Sequence, residues 1–145
     1  MNSNIKYYFL NILLLAMLVS CAIEPQPIEY GKDACIYCKM NIVDQQHAAE
    51  IVTKKGKAFK YDSIECMVRD TNDKNENIIA LFLITDYTSP GKLIDAVKAT
   101  YLISENLPSP MGANLTGFSN RTEAENYQVK KDGVLLSWKE LQVRF

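Results

Sequence analysis

The chain has 145 residues, a length that suits one domain or at most two small ones. With 48% hydrophobic and 23% charged residues, its composition is that of a globular protein and excludes a disordered one. Sixteen basic against seventeen acidic side chains give a net charge of -1, so there is no basic excess to neutralise phosphates, and nucleic acid is not expected as the main partner.

The N-terminus reads as an address. Lys6 is its only early charge, and an apolar run from Tyr7 to Val19 is broken only by Asn11. This is the pattern of a signal peptide over residues 1–20, and the run is shorter than the ~20 apolar residues of a membrane-spanning helix. Leu18-Val19-Ser20-Cys21 resembles a bacterial lipobox, in which cleavage precedes the cysteine and lipid is attached to its sulfur. Cys21 is therefore the expected lipidation site, and residues 21–34, with Pro25 and Pro27, the expected extended tether. The mature protein is expected in the cell envelope, anchored by lipid to a membrane and facing the periplasm or the exterior. Processing would leave three cysteines, Cys35, Cys38 and Cys66, with Met40, Met67 and Met111. An odd thiol number in an oxidising compartment points to a reactive or ligating group.

Asp33 to Asn41 reads as a cysteine-bearing turn, and His47 to Thr53 as a strand. Lys54-Lys55-Gly56-Lys57 is a hairpin loop, and Ala58 to Tyr61 is the returning strand. Asp62, with Glu65 three positions on, has the spacing of a helix start. Ile64, Met67 and Val68 share one face of that helix, and the polar stretch Asp70 to Asn77 ends it. Ile78 to Asp86 is a long apolar strand, which completes a β-β-α-β order. A similar order follows. Leu93 to Ser104 reads as one strand with an irregular or hairpin start, and Leu115 to Phe118 as a second. Asn120 and Glu123 open a helix through Lys131, Asp132-Gly133 breaks it, Val134 to Ser137 is a short strand, and Trp138 to Phe145 closes the chain. The expected fold class is α+β: two small β-β-α-β units, about 35–88 and 89–145, packed as one domain.

Cys35-Ile36-Tyr37-Cys38-Lys39-Met40 places two thiols and a thioether in six residues. Such a pair chelates one metal or forms a redox or structural disulfide. Thioether sulfur suits Cu(I) better than zinc, although Met40 is also a possible core filler. A thioredoxin-like site needs a helix after the pair, whereas Asn41-Ile42-Val43-Asp44 reads as a turn. A zinc ribbon lacks its second Cys-x-x-Cys, and only a Cys₃His set with His47 can be counted. On a helical wheel Cys66 falls roughly opposite Ile64, Met67 and Val68, so it reads as either a third sulfur or a half-buried free thiol. His47, the only histidine, lies ahead of the first strand, in reach of the same site or serving structure alone. Met111 stands in the turn Ser109-Pro110-Met111-Gly112, a second soft donor, while Met67 reads as core. A single histidine and no Gly-x-Ser-x-Gly leave little for nucleophilic catalysis, so the chain is not expected to be an enzyme. The rival functions are an envelope thiol-disulfide oxidoreductase using Cys35 and Cys38, and a metal-free interaction lipoprotein.

In order and spacing, several of these pieces resemble the NosL family, copper-binding lipoproteins accessory to nitrous oxide reductase. They are Cys35-x-x-Cys38-x-Met40 with Asn41-Ile42, Ala48-Ala49-Glu50-Ile51, and Phe59-x-Tyr61-Asp62-Ser63-Ile64-Glu65-Cys66-Met67. Ile84-Thr85-Asp86-Tyr87, Ile94-Asp95-Ala96-x-x-Ala99-x-Tyr101, Pro110-Met111-Gly112, Gly117-Phe118 and Ala124 follow. The resemblance implies a Cu(I) carrier that delivers copper for maturation of nitrous oxide reductase or another envelope cuproprotein, with a copper ABC-type transport complex as partner. It also implies two similar β-β-α-β units. Cys38 and Met40 correspond to the family's Cys-Gly-Met turn, with Lys39 in place of glycine, and Met111 to its Met-Gly turn. His47 lies about two positions beyond the histidine of many relatives. Cys35 and Cys66 are not general to the family and would add thiolates. The expected site is a shallow Cu(I) site of Cys38, Met40 and a third ligand, Met111 or His47.

Overall fold

The computed structural model describes residues 23–72 and 76–145. The signal segment and Cys21 lie outside the described residues. The first unit runs β1 (Ala49–Thr53), β2 (Ala58–Tyr61), α1 (Ile64–Asn72) and, after a 3₁₀ turn at Glu76–Ile78, β3 (Ile79–Asp86). β4 (Ser89–Asp95) adds an edge strand. The second unit runs β5 (Thr100–Ile103), β6 (Leu115–Phe118), α2 (Arg121–Lys131) and β7 (Val134–Leu136), and α3 (Trp138–Arg144) closes the chain. The two sheets have the orders β2-β1-β3-β4 and β6-β5-β7, and every pairing is antiparallel. β1 and β5 therefore hold the same central place between the other two strands of their units. The β-β-α-β order occurs twice, in the same sheet arrangement.

β1 is flanked by strands on both sides, and Ala49, Glu50, Ile51 and Val52 are all buried. β2 returns on it through the Lys54–Lys57 hairpin with Ala49 opposite Tyr61 and Val52 opposite Ala58. Gly117 sits where the two units meet. A Cβ there would come within 2.3 Å of Ile84 Cδ1 and 3.2 Å of Ile64 Cδ1, so the close approach of β6 to β3 and α1 needs a glycine. Tyr61, Ile64, Met67, Ile84, Tyr101 and Leu115 fill the shared core, with Trp138 and Leu141 of α3.

Three local expectations are corrected. Leu93 to Ser104 is two strands in different sheets. The Asp95 carboxylate accepts from the Val97 amide at 2.9 Å, and the turn at 96–99 ends β4 before β5 begins. Turn chemistry of this Asx kind interrupts an apolar run that otherwise reads as continuous. At the start of α1, Ser63 rather than Asp62 does the capping: its hydroxyl accepts from the Cys66 amide at 3.2 Å. Glu65 turns away to accept from the Ser109 hydroxyl, and Asp62 is left free to face elsewhere. The placing of Cys66 off the core also fails. All of Ile64 to Val68 is buried, because the first turn of α1 has protein on every side. The closing segment is a helix held by a capping box of Ser137 and Glu140.

Candidate metal centre

The cysteine turn is a tight loop closed on itself. The Cys35 amide donates to the Met40 carbonyl at 2.8 Å, the Lys39 amide to the Cys35 carbonyl at 3.0 Å, and Ala34 and Asn41 form a single bridge. Lys39 takes a left-handed φ of 68°, the conformation that favours glycine. A lysine thus takes a conformation usually left to glycine, and the turn still closes. The loop is seated against edge strand β2 by the Ile36 amide, which donates to the Lys60 carbonyl at 3.0 Å.

β2 then leads directly into α1, and this junction supplies the remaining donors. Cys35, Cys38, Asp62 and Cys66 each bring one ligand atom, and these atoms all lie within 4.8 Å of one another. Cys35, Asp62 and Cys66 are buried, and Cys38 is half-buried. All three cysteines are free thiols. The Cys38 thiol donates to Asp62 Oδ1 at 3.3 Å, while Asp62 Oδ2 is buried without a hydrogen-bond partner. An orphaned buried carboxylate oxygen is costly unless something positive or protic meets it. The thiols are also polarised against one another. The Cys66 thiol donates to Cys35 and, against the opposing effect of burial, lowers the Cys35 pKa to about 6. Burial pushes Cys38 up to about 11. Cys66, whose protonated thiol interacts with Cys35 and is itself buried, is held well above the usual thiol range. One sulfur is thus favoured as a thiolate while the other two are held as thiols. Tetrahedral or trigonal ligation at ~2.3 Å needs sulfurs about 3.8 Å apart, so a small contraction brings the group around one soft ion.

The other sequence-predicted residues are placed as follows. Met40 stands 47% exposed at the rim of the turn, with its amide directed at the Cys38 sulfur. Met111 is partly buried and packs on the same core cluster that contains Cys35 and Cys66. Its loop is tied to α1 by Ser109, whose hydroxyl donates to Glu65, the neighbour of Cys66, and accepts from the Asn114 amide at 2.9 Å. His47 is outside the four-residue group. Its Nδ1 lies 3.0 Å from Asp44 Oδ2, its Nε2 lies 3.4 Å from Thr116 Oγ1, and its ring packs edge-on to Tyr87. Asp62 is the residue that reading the sequence missed, because it stood as a helix cap. The available signal was the pair Asp62-Ser63, since only one of two adjacent capping residues can occupy the cap.

The NosL family model matches residues 27–144. The chain belongs to the NosL family. Its fold is similar to that in the crystal structure of the copper chaperone NosL from Shewanella denitrificans, with a TM-score of 0.71 and 19% identity. That match covers 82% of this chain and 96% of the Shewanella chain. A comparison with curated proteins gives no match. The doubled β-β-α-β arrangement is thus a NosL fold, and the cysteine turn and the α1 start lie within the matched region.

Proposed function

We propose that this NosL-family chain is a copper chaperone of the cell envelope that carries Cu(I) as cargo and catalyses no reaction of its own. The observation that carries this reading is the convergence of three thiols and Asp62 within 4.8 Å at the edge of the first sheet. Soft sulfur donors select Cu(I) over harder ions. Cys35, Cys38 and Cys66 form the inner set, and Met40 is the exposed donor through which copper enters and leaves. Partial exposure of Cys38 and Met40 leaves one side open, so an acceptor's ligand can attack before the ion is released. Met111, held against α1 by the Ser109–Glu65 contact, is a second thioether that arrives from the other unit. His47, engaged by Asp44 and Thr116, serves the fold in this reading.

The anchor is lipid on Cys21. Among the described residues no helix is long and apolar enough to cross a membrane. The acceptor is nitrous oxide reductase or another envelope cuproprotein, supplied together with a copper ABC-type complex. A shared membrane surface raises the effective concentration of carrier and acceptor.

The test is anaerobic Cu(I) titration of the chain lacking residues 1–20 and carrying Cys21→Ala, in competition with a chelator. One tight equivalent is expected, weakened at least tenfold by Cys38→Ser and by Cys66→Ser and less by Met40→Leu. Retention of zinc in place of copper would reassign the group to a Cys₃Asp divalent site. Insulin reduction that survives Met40→Leu, with no copper uptake, would reassign it to thiol-disulfide exchange.

A further inference from the structure

The β1–β2 hairpin carries a concentration of charge that the copper site does not use. From Ile51 to Tyr61 the chain has four lysines and no acid, although the protein as a whole is slightly acidic. Lys60 is taken up by Asp33 at 2.6 Å and by the Pro27 carbonyl at 2.6 Å. Lys54, Lys55 and Lys57 are exposed, and among the described residues none of them forms an ion pair with a carboxylate. They line a cavity of about 500 Å³ together with Thr53, Phe59, Asn77 and Ile78. The Lys57 ammonium lies 4.7 Å from the centre of the Phe59 ring, and Ile78 is 52% exposed. Three ammonium groups beside the apolar Phe59 and Ile78 match an interface with phosphate outside and methylenes just below it.

The N-terminal segment is pinned beside the first sheet, at the Glu50–Lys60 pair. The Gln26 amide donates to Glu50 Oε1 at 2.8 Å, beside the Glu50–Lys60 pair of β1 and β2. From Lys60 to Lys57 along the strand is about 10 Å at ~3.3 Å per residue. The five residues from Cys21 to Gln26 span up to about 17 Å, which is enough to bring Cys21 to the hairpin. The cysteine turn lies along β2: the Ile36 amide donates to the Lys60 carbonyl, and Ala34 and Ile36 line a cavity with Lys57, Ala58 and Phe59.

We propose that the β1–β2 hairpin is a docking surface for an anionic phospholipid bilayer. Lys54, Lys55 and Lys57 meet the headgroup phosphates, and Phe59 and Ile78 meet the first methylenes. Docked this way, the hairpin faces the membrane and the cysteine turn lies alongside β2, next to the docked surface. The tether argument rests on the lipidation reading of Cys21, whereas the lysine-lined cavity stands without it.

The experiment uses the processed chain, acylated at Cys21, on vesicles of phosphatidylcholine alone or with one third phosphatidylglycerol. Flotation on phosphatidylcholine alone reports the acyl anchor and separates its failure from that of the docking surface. Hydrogen exchange then maps the contact. Amides of residues 54–58 and 77–79 are expected to exchange several-fold more slowly on the anionic vesicles only. That protection should vanish in 0.5 M salt and in the K54E/K55E/K57E variant, with Cu(I) uptake unchanged. Equal protection on both vesicles, none on either, protection centred on residues 35–43, or the same protection from free glycerol phosphate would overturn the proposal.

Discussion

The most direct test of the thiol group perturbs its proton distribution. The low Cys35 pKa, about 6, has as its largest cause the hydrogen bond donated by Cys66. At pH 7 a thiol ionising at about 6 is ~90% thiolate, whereas an ordinary thiol is only a few per cent ionised. Cys66→Ala removes that donor while changing little volume. The Cys35 midpoint is then expected to rise by at least one pH unit, so that at pH 7 less than about half of it remains ionised. The assay is thiolate absorbance near 240 nm in the reduced, metal-free chain between pH 5 and 9. The unsubstituted chain should show a step near pH 6 that disappears in Cys35→Ser and moves upward in Cys66→Ala. The same shifts fix the sign of the stability profile. Cys35 is lowered on folding, so its contribution is complete above the ordinary thiol range and is lost as pH falls through about 6. Cys38 is raised to about 11 by burial, so stability also falls as pH climbs from about 9 to 11. The apo protein should be most stable between these limits. A step that persists in Cys35→Ser, or does not move in Cys66→Ala, would refute the proton-sharing geometry.

Other substitutions probe the supports of the site. Lys39 holds a left-handed φ of 68°, so Lys39→Val should lower stability by about 1–2 kcal/mol in urea unfolding while Lys39→Gly stays near neutral. Ser109→Ala leaves both oxygens of the buried Glu65 carboxyl without a partner and should cost about 1–3 kcal/mol in the same assay. Restoration by the double variant Ser109→Ala with Glu65→Leu would confirm that the loss is one of unmet polarity. Gly133→Ala should be the more damaging of two glycine changes. Its Cβ would come 2.2 Å from the Ile103 carbonyl oxygen, whereas at Gly112 nothing lies within 4 Å and only the backbone cost of about 1 kcal/mol applies. Equal thermal midpoints for these two variants would contradict the packing.

Much of the fold was legible in local chemistry. Ala58–Tyr61 and Leu115–Phe118 occupy the bounds that the sequence implied, and Asn120 caps α2 by accepting from Thr122. Glu123, however, bonds Thr88 rather than its own cap, a partner 35 residues away that no local pattern could supply. The same limit governed the site. The Cys35-x-x-Cys38-x-Met40 spacing marked the turn, and its conformation follows from contacts within six residues. Whether Cys66 and Asp62 belong to it depends on how β2 docks against that turn, which is a contact across 24 positions or more.

What the sequence determined by itself was the set of soft donors, the doubled β-β-α-β order and the family. Each of these is written in residue type and short-range spacing. What the tertiary structure decided was membership of the donor group. Ser63 took the helix cap, which freed Asp62 to face the thiols, and burial on every side of the first turn of α1 set Cys66 against Cys35. Asp44 and Thr116 engaged His47 away from that group. The physical reason is common to all three. A side chain with several possible hydrogen-bond partners is assigned by which partner is buried beside it, and burial is a property of the packed chain.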